Sequence, residues 1–485
     1  MGEKNILKHF VIIGGGTFLN LLLGLITTPL ITRIVDPVEY GQLSIFTMYS
    51  NIALIVFLLG MDQAVIRFYY VADTLEYKRA LLFRCVLIPA ITTIAASMFV
   101  ILSLTFDIIN FEFSSAIMVL LCAYTLIQVV YRFSQNILRL EYNSKMYSAL
   151  NIIQKISYIV LAVPLLLLVK RNYLLILVCA TVGAALICLL VSIFVKKDMW
   201  NIFVNDDRAC MISREELLRY SLPLIVSMGI TVLFQAIDKI SLNYFCTYSE
   251  VGIYSSTMSL VNIFAVIQTT FNTLWAPMAT EHYTKDKEDR TFYQKGNQVI
   301  TVVMFFIGIS LILCKDVFAM LLGEKYRQAA YILPFLTFHP IMYTISETTV
   351  TGISFMKKSK MQIIIAATAC VTNIIGNTFL VPKYGCQGAA ISTGISYIVF
   401  FTMRTLISNK YFYVDFKLKR FYLLTGFVCT YAFYNTFVHF NVFSILGYMI
   451  CLLILVVFYN ETVVWGIQYL WDAAREFIGK VRKQK

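Results

Sequence analysis

The charged residues of this sequence that fall inside its long apolar stretches are the ones that call for a chemical reason. Lys155 lies about ten residues into a stretch running from about 146 to 169. At about 1.5 Å per helical residue this is near the midplane of a hydrocarbon core. Asn151, one turn earlier on the same helix face, and Gln154 beside it make the surroundings polar. An ammonium there either meets an anion in a polar cavity or closes an ion pair between helices. Arg132, flanked by Gln128 and Gln135, extends the basic set or snorkels to the interface. Glu347 brings the opposite charge, eight residues after His339 on nearly the same helix face. The carboxylate offers a partner for Lys155 or a proton carrier, and the imidazole beside Pro340 a bond to freed backbone. Asp238 and Lys239 are helix neighbours, so only one of them points inward. Asp62 and Arg67 fall at the mouth of an apolar stretch, where they greet a ligand or close a surface salt bridge.

No reactive constellation accompanies these charges. The 11 cysteines are scattered without a C-x-x-C, and the 4 histidines are isolated, so no metal set is expected. No nucleophile elbow, H-E-x-x-H, Walker A or dinucleotide fingerprint appears between a strand and a helix. Gly14-Gly15-Gly16 falls within an apolar stretch, where small residues let helices approach closely. The expectation is a protein with no catalytic residues and no cofactor, coupling to H+ or Na+ aside. A membrane enzyme such as a polymerase or acyltransferase needs a sizeable outer loop with convergent catalytic groups, and the outer loops here are short.

The elements that hold these residues follow from composition. Of 485 residues 59% are hydrophobic and 14% charged, and the mean hydropathy is +0.75. A soluble domain carries roughly 25% charged residues. A bilayer core of about 30 Å needs roughly 20 apolar residues of helix, because the backbone must satisfy its own hydrogen bonds there. Cutting at polar, Gly and Pro signals predicts an all-α polytopic membrane protein of about fourteen spans. Their bounds are roughly 8–32, 42–64, 82–106, 113–138, 146–169, 173–195, 216–243, 251–279, 294–314, 328–356, 360–381, 387–408, 419–440 and 442–465. The first apolar run is too long for a cleavable signal and reads as a span. With both termini on one side, that side carries 31 of the 40 lysines and arginines and is cytoplasmic by the positive-inside rule. The net charge of +13 is then a matter of orienting loops against anionic lipid heads, and nucleic-acid binding is not implied.

The sequence also repeats itself. Glu39-Tyr40-Gly41-Gln42-Leu43-Ser44 and Glu250-Val251-Gly252-Ile253-Tyr254-Ser255 share E-x-G-x-x-S at an offset of 211. Ser144-Lys145-Met146 and Ser359-Lys360-Met361 match at an offset of 215. An even number of spans between copies predicts two six-helix bundles of parallel topology around a central cavity, the plan of a transporter. The expected division is an N-terminal lobe at 1–200, a cytoplasmic linker at 201–215, a second lobe at 216–410, and two further helices with a basic tail at 411–485. Pro29, Pro164, Pro223 and Pro277 are candidate hinges, because proline removes a helix hydrogen bond.

Particular strings carry a family likeness. Pro29 to Arg33, Asp36 to Gly41, Gly60-Met61-Asp62-Gln63-Ala64 and Arg67-Phe68 resemble the opening of the polysaccharide-synthesis flippases of the multidrug/oligosaccharidyl-lipid/polysaccharide (MOP) exporter superfamily. Tyr220 to Pro223, Asp238-Lys239, Glu250 to Tyr254, Trp275-Ala276-Pro277, Tyr326 to Pro334 and Pro382 to Ala390 continue the likeness to about residue 410. The resemblance implies a flippase for an undecaprenyl-diphosphate-linked oligosaccharide, of O-antigen or capsule type, in the inner membrane of a bacterium. Its implied partners are that glycan, membrane lipids and, as a further candidate, a polysaccharide polymerase. The alternative within the superfamily is a cation-coupled drug or metabolite antiporter, which would favour acidic over basic residues in its cavity.

Overall fold

The computed structural model describes residues 15, 19–20, 22–109, 111–201, 209–468 and 471. Described residues are helical or irregular, with no strand among them. The chain forms two compact units, residues 1–259 and 260–485. In the first unit lie α1 (Leu22–Thr32), α2 (Pro37–Leu58), α3 (Met61–Phe68), α4 (Leu75–Thr105), α5 (Ser115–Leu140), α6 (Ser144–Val169), α7 (Tyr173–Val195), α8 (Arg214–Phe245) and most of α9 (Tyr248–Val261). In the second lie α10 (Ala265–Lys285), α11 (Thr291–Leu313), α12 (Lys315–Leu321), α13 (Ala329–Leu336), α14 (Phe338–Thr349), α15 (Thr351–Phe355), α16 (Lys360–Tyr411), α17 (Leu418–Phe437), α18 (Val442–Phe458) and α19 (Asn460–Gln468).

Polar residues start the helices where the sequence changes character. Thr74, Asn143 and Ser213 accept backbone N–H bonds from Tyr77, Met146 and Glu216, and Asn441 forms a capping box with Ser444. The solvent pattern is inverted: Leu168 is 80% and Phe194 78% exposed, while Ser192, Thr257, Asn377 and Thr405 are fully buried. Lipid is the natural neighbour of the first set, while Ser192 and Thr257 donate to the Leu189 and Ile253 carbonyls of their own helices and Thr405 bonds Thr349 across two helices.

Nine helical runs among the described residues are long and apolar enough to span a bilayer, or ten if α18 and α19, bent by 91°, count as one span. The expected fourteen do not all appear as separate spanning runs among the described residues. The expected span 8–32 falls mostly outside the described residues, which contain only Leu22–Thr32 of it as a helix. The expected 328–356 is broken into α13, α14 and α15. The expected 360–381 and 387–408 run together as the 52-residue α16. At about 1.5 Å per residue α16 is roughly 78 Å long, far beyond one crossing of about 30 Å. It turns at Gly385, whose φ of 55° and ψ of −133° are non-helical.

In the first unit the break between α2 and α3 decides where a carboxylate is placed. Leu59 (φ 51°) and Gly60 (φ 69°) are both left-handed, and a Cβ on Gly60 would stand 2.5 Å from the Ser221 carbonyl oxygen of α8. The turn therefore needs glycine, and it carries Asp62 at the start of α3 into the interior, where it is fully buried.

Candidate functional site

A cavity of about 360 Å³ lies within the first unit. Helix α2 lines it with Tyr40, Leu43, Ser44 and Thr47, spaced i, i+3, i+4 and i+7 along one face. Gln154, Lys155 and Tyr158 come from α6, Lys239 from α8, and Ser255 and Ser259 from α9. Lys239 Nζ donates to Ser44 Oγ at 2.9 Å, and Ser44 Oγ donates to Ser255 Oγ at 2.7 Å. Asp238 turns the other way, buried, and its carboxylate accepts from Tyr254 Oη at 2.7 Å. Lys155 is half-buried and makes no hydrogen bond or ion pair with any described residue. Asn151 is not in this wall, although it precedes Lys155 by one turn.

Two ammonium groups thus share a cavity whose wall, among the described residues, contains no carboxylate. In a low-dielectric setting like charges repel strongly, and an anion between them relieves that repulsion. Hydroxyls from Tyr40, Ser44, Thr47, Tyr158, Ser255 and Ser259 add donors and acceptors suited to phosphate oxygens or sugar hydroxyls.

A second cavity of about 380 Å³ continues along the same helices. It is lined by Asn51, Ile55 and Leu58 of α2, by Val232 and Gln235 of α8, and by Arg132 of α5. Lys239 belongs to both walls. Arg132 Nε donates to Asp62 Oδ2 at 3.3 Å, and Gln63 Nε2 donates to the same oxygen at 2.9 Å. The expected Asp62–Arg67 surface pair does not form: Arg67 is exposed and Asp62 is buried against α5, because the Leu59–Gly60 turn carries it inward.

The charges of the second unit pair within it. Glu347 Oε1 accepts from Arg404 Nη1 at 2.7 Å, and the same nitrogen donates to Ser346 Oγ at 2.7 Å. Tyr343 and Phe400 flank the guanidinium at 5.6 and 5.5 Å. Glu347 thus has Arg404 as its ion-pair partner, and not Lys155, which was one of the two roles open to it. His339 packs against Tyr397 with ring centroids 4.3 Å apart and the planes tilted by 40°, and its Nδ1 has no hydrogen-bond partner among the described residues, so it does not bond freed backbone through that atom. Arg404 and Lys315 escaped the sequence reading because both sit near expected loops. Lys315 is fully buried, donating to the carbonyls of Asn435 and Val438 at 2.5 and 2.7 Å. Among the candidate hinges, Pro164, Pro223 and Pro277 lie inside α6, α8 and α10, and Pro29 inside α1. No group of three or more metal-ligating side chains occurs among the described residues.

Comparison with known proteins fits this arrangement. Residues 6–283 match the family described as polysaccharide biosynthesis protein, more than half of the chain. The chain belongs to this family. A stretch of 187 residues is 21% identical to a probable low-salt glycan biosynthesis flippase of Haloferax volcanii, covering 38% of this chain and 39% of that protein. The curated relatives are matched over only 39% to 50% of their own lengths. Among solved structures, the lipid II flippase MurJ in an inward closed conformation superposes with a TM-score of 0.65 at 16% identity, covering 95% of this chain and 99% of that one. An inward-facing multidrug resistance MATE transporter of the MOP superfamily gives 0.61 at 15% identity, covering 81% and 94%. At such identity these likenesses establish the fold alone, a polytopic helical one shared with those proteins.

Proposed function

We propose that this family member is a flippase that carries an undecaprenyl-diphosphate-linked oligosaccharide from the inner to the outer leaflet for surface polysaccharide assembly. It works by alternating access, open to one leaflet at a time. Its place is the cytoplasmic membrane of a bacterium, with both termini inside, and a polysaccharide polymerase is the candidate partner downstream. The observation that carries the reading is the cavity holding Lys155 and Lys239 without a carboxylate among the described residues of its wall. A diphosphate meets two ammoniums there, sugar hydroxyls meet the Ser, Thr and Tyr side chains, and the polyprenyl tail stays in the bilayer. A proton or sodium gradient is the candidate energy source, and Glu347, held by Arg404, is the candidate carboxylate for it.

The test is translocation of a fluorescent short-chain polyprenyl-diphosphate oligosaccharide in liposomes, comparing the unmodified protein with Lys155→Ala. Protein-dependent movement that falls at least tenfold in a folded Lys155→Ala variant is expected. Uptake of small organic cations under a proton or sodium gradient, with no movement of any lipid-linked sugar, replaces the flippase by the antiporter.

A further inference from the structure

The cavity that holds Arg132 is more than a continuation of the Lys155 cavity. Helix α2 gives residues 40–47 to the first and 48–58 to the second. Their centres along α2 are thus about 14 Å apart at 1.5 Å per residue. The second cavity lies toward the α2–α3 break, the end that the distribution of basic loops puts on the cytoplasmic side. Its cation is also prepared differently. Asp62 takes Arg132 through Nε, and no described residue takes the terminal nitrogens, on a side chain 39% exposed. A guanidinium held by Nε presents its outer fork in a fixed direction, and such a fork binds two phosphate oxygens at once. Asp62 is itself fixed: Gln63 holds its Oδ2, and Asn136 Nδ2 donates to its backbone carbonyl at 3.2 Å. The remainder of the wall is largely apolar, from Met48, Leu54, Ile55, Leu58, Met228 and Val232.

Resting on the flippase reading, we infer that this cavity is a second, inner station for the diphosphate of the lipid-linked glycan, from which Lys239, common to both walls, hands the anion to Lys155. Charge compensation falls along the path. Arg132 is ion-paired with Asp62, Lys239 is hydrogen-bonded to Ser44, and Lys155 has no partner among the described residues. An anion is therefore held more tightly the further it advances, so loading is reversible at Arg132 and commits at Lys155. The apolar wall suits the prenyl-proximal end of the headgroup rather than free phosphate. Asp62 acts as a positioning residue, through Arg132.

Full-length protein in neutral-lipid nanodiscs provides the test, with binding measured for a short-chain prenyl diphosphate, its monophosphate and inorganic pyrophosphate. Arg132→Gln and Lys155→Gln each weaken prenyl diphosphate binding by roughly tenfold, the scale of one charge-assisted hydrogen bond or more. Lys239→Gln weakens it further than either. In the liposome assay the two stations separate. Arg132→Gln raises the half-saturating substrate concentration with the maximal rate kept, whereas Lys155→Gln lowers the maximal rate. Asp62→Asn moves the half-saturating concentration in the same direction by less, and Arg132→Lys recovers part of the loss. The last two variants also keep the proposal open to refutation if Arg132→Gln does not fold. Binding and half-saturation within twofold of the unmodified protein in folded Arg132→Gln overturn the station, as does a kinetic signature identical to that of Lys155→Gln. Arg132-dependent binding that prefers inorganic pyrophosphate to the prenyl diphosphate overturns the lipid assignment. If no lipid-linked glycan moves but the two-variant binding pattern persists, the station stands and the flippase reading falls.

Discussion

At the scale of single residues, a charge is placed by what compensates it. Arg404 and Glu347 have side chains only 8% and 17% exposed and bond at 2.7 Å. Removing one partner of such a pair leaves the other uncompensated, at a cost of about 3–5 kcal/mol. Glu347→Gln is therefore expected to lower the thermal midpoint in detergent strongly, and a Glu347→Gln, Arg404→Leu double variant to recover much of the loss. Additive losses in that cycle would mean that the two side chains do not act as a pair. The legibility of these residues in the sequence differs for a physical reason. Lys155 stands far from any loop, so its burial in apolar sequence marks it. Arg404 lies four residues before the expected end of a span and was counted with the orienting cations, although α16 continues to Tyr411. Asp62 and Arg132 are 70 residues apart, and no local pattern announces a partner supplied by another helix.

At the scale of elements, the E-x-G-x-x-S repeat has a geometric meaning that its offset alone does not give: the two copies touch. A Cβ on Gly41 would stand 1.9 Å from the Tyr248 carbonyl oxygen, and one on Gly252 would stand 2.0 Å from that of Pro37. Ser44 and Ser255, at the same offset of 211, bond to each other. The contacts of α2 on α9 thus mirror those of α9 on α2, as expected where two equivalent helices cross about a local twofold, and only glycine permits the approach. Gly41→Ala and Gly252→Ala should each destabilise the protein by about 1–3 kcal/mol, the usual range for overpacking. Their losses should be similar, and the double variant less than additive, as read from thermal unfolding. Gly41→Ala at unchanged stability would mean that the crossing is loose.

The loop between α4 and α5 ties the same helices together. Glu112 accepts from Tyr49 at 3.0 Å and from Asn243 at 2.8 Å, and also from Tyr248, while Phe113 stacks on Tyr248 at 6.5 Å. Burial pushes the Glu112 carboxyl upward, but the bonds from Tyr248, Asn243 and Tyr49 outweigh it and leave it below its ordinary value of 4.5. A carboxylate depressed in the folded state contributes stability that is present above its ordinary value and lost as pH falls through the depressed one. The thermal midpoint of Glu112→Gln should therefore lie below that of the unmodified protein at pH 7. The gap should close as pH falls below about 4.5, and a gap that persists there would remove the carboxylate from this account.

At the scale of the whole molecule, composition alone identified the solvent, since 59% hydrophobic and 14% charged residues leave little choice but lipid. The number of spans was less legible, because α16 hides its turn within one helical run and the 328–356 segment breaks into short helices that no single apolar window captures. Orientation carries the heaviest functional consequence. The order Arg132, Lys239, Lys155 is an export path only if the α2–α3 break faces the cytoplasm, the side on which the positive-inside rule puts 31 of the 40 basic residues. Cys314, exposed between α11 and α12, then faces outward, while Lys358, between α15 and α16, faces the cytoplasm. A membrane-impermeant maleimide should label Cys314 on intact cells and lose that signal in Cys314→Ser. Cysteine placed by Lys358→Cys in the Cys314→Ser background should react only after permeabilisation. The reverse pattern would turn the path around, making the weakly held anion at Arg132 the last stop rather than the first, and export by rising affinity would then be ruled out.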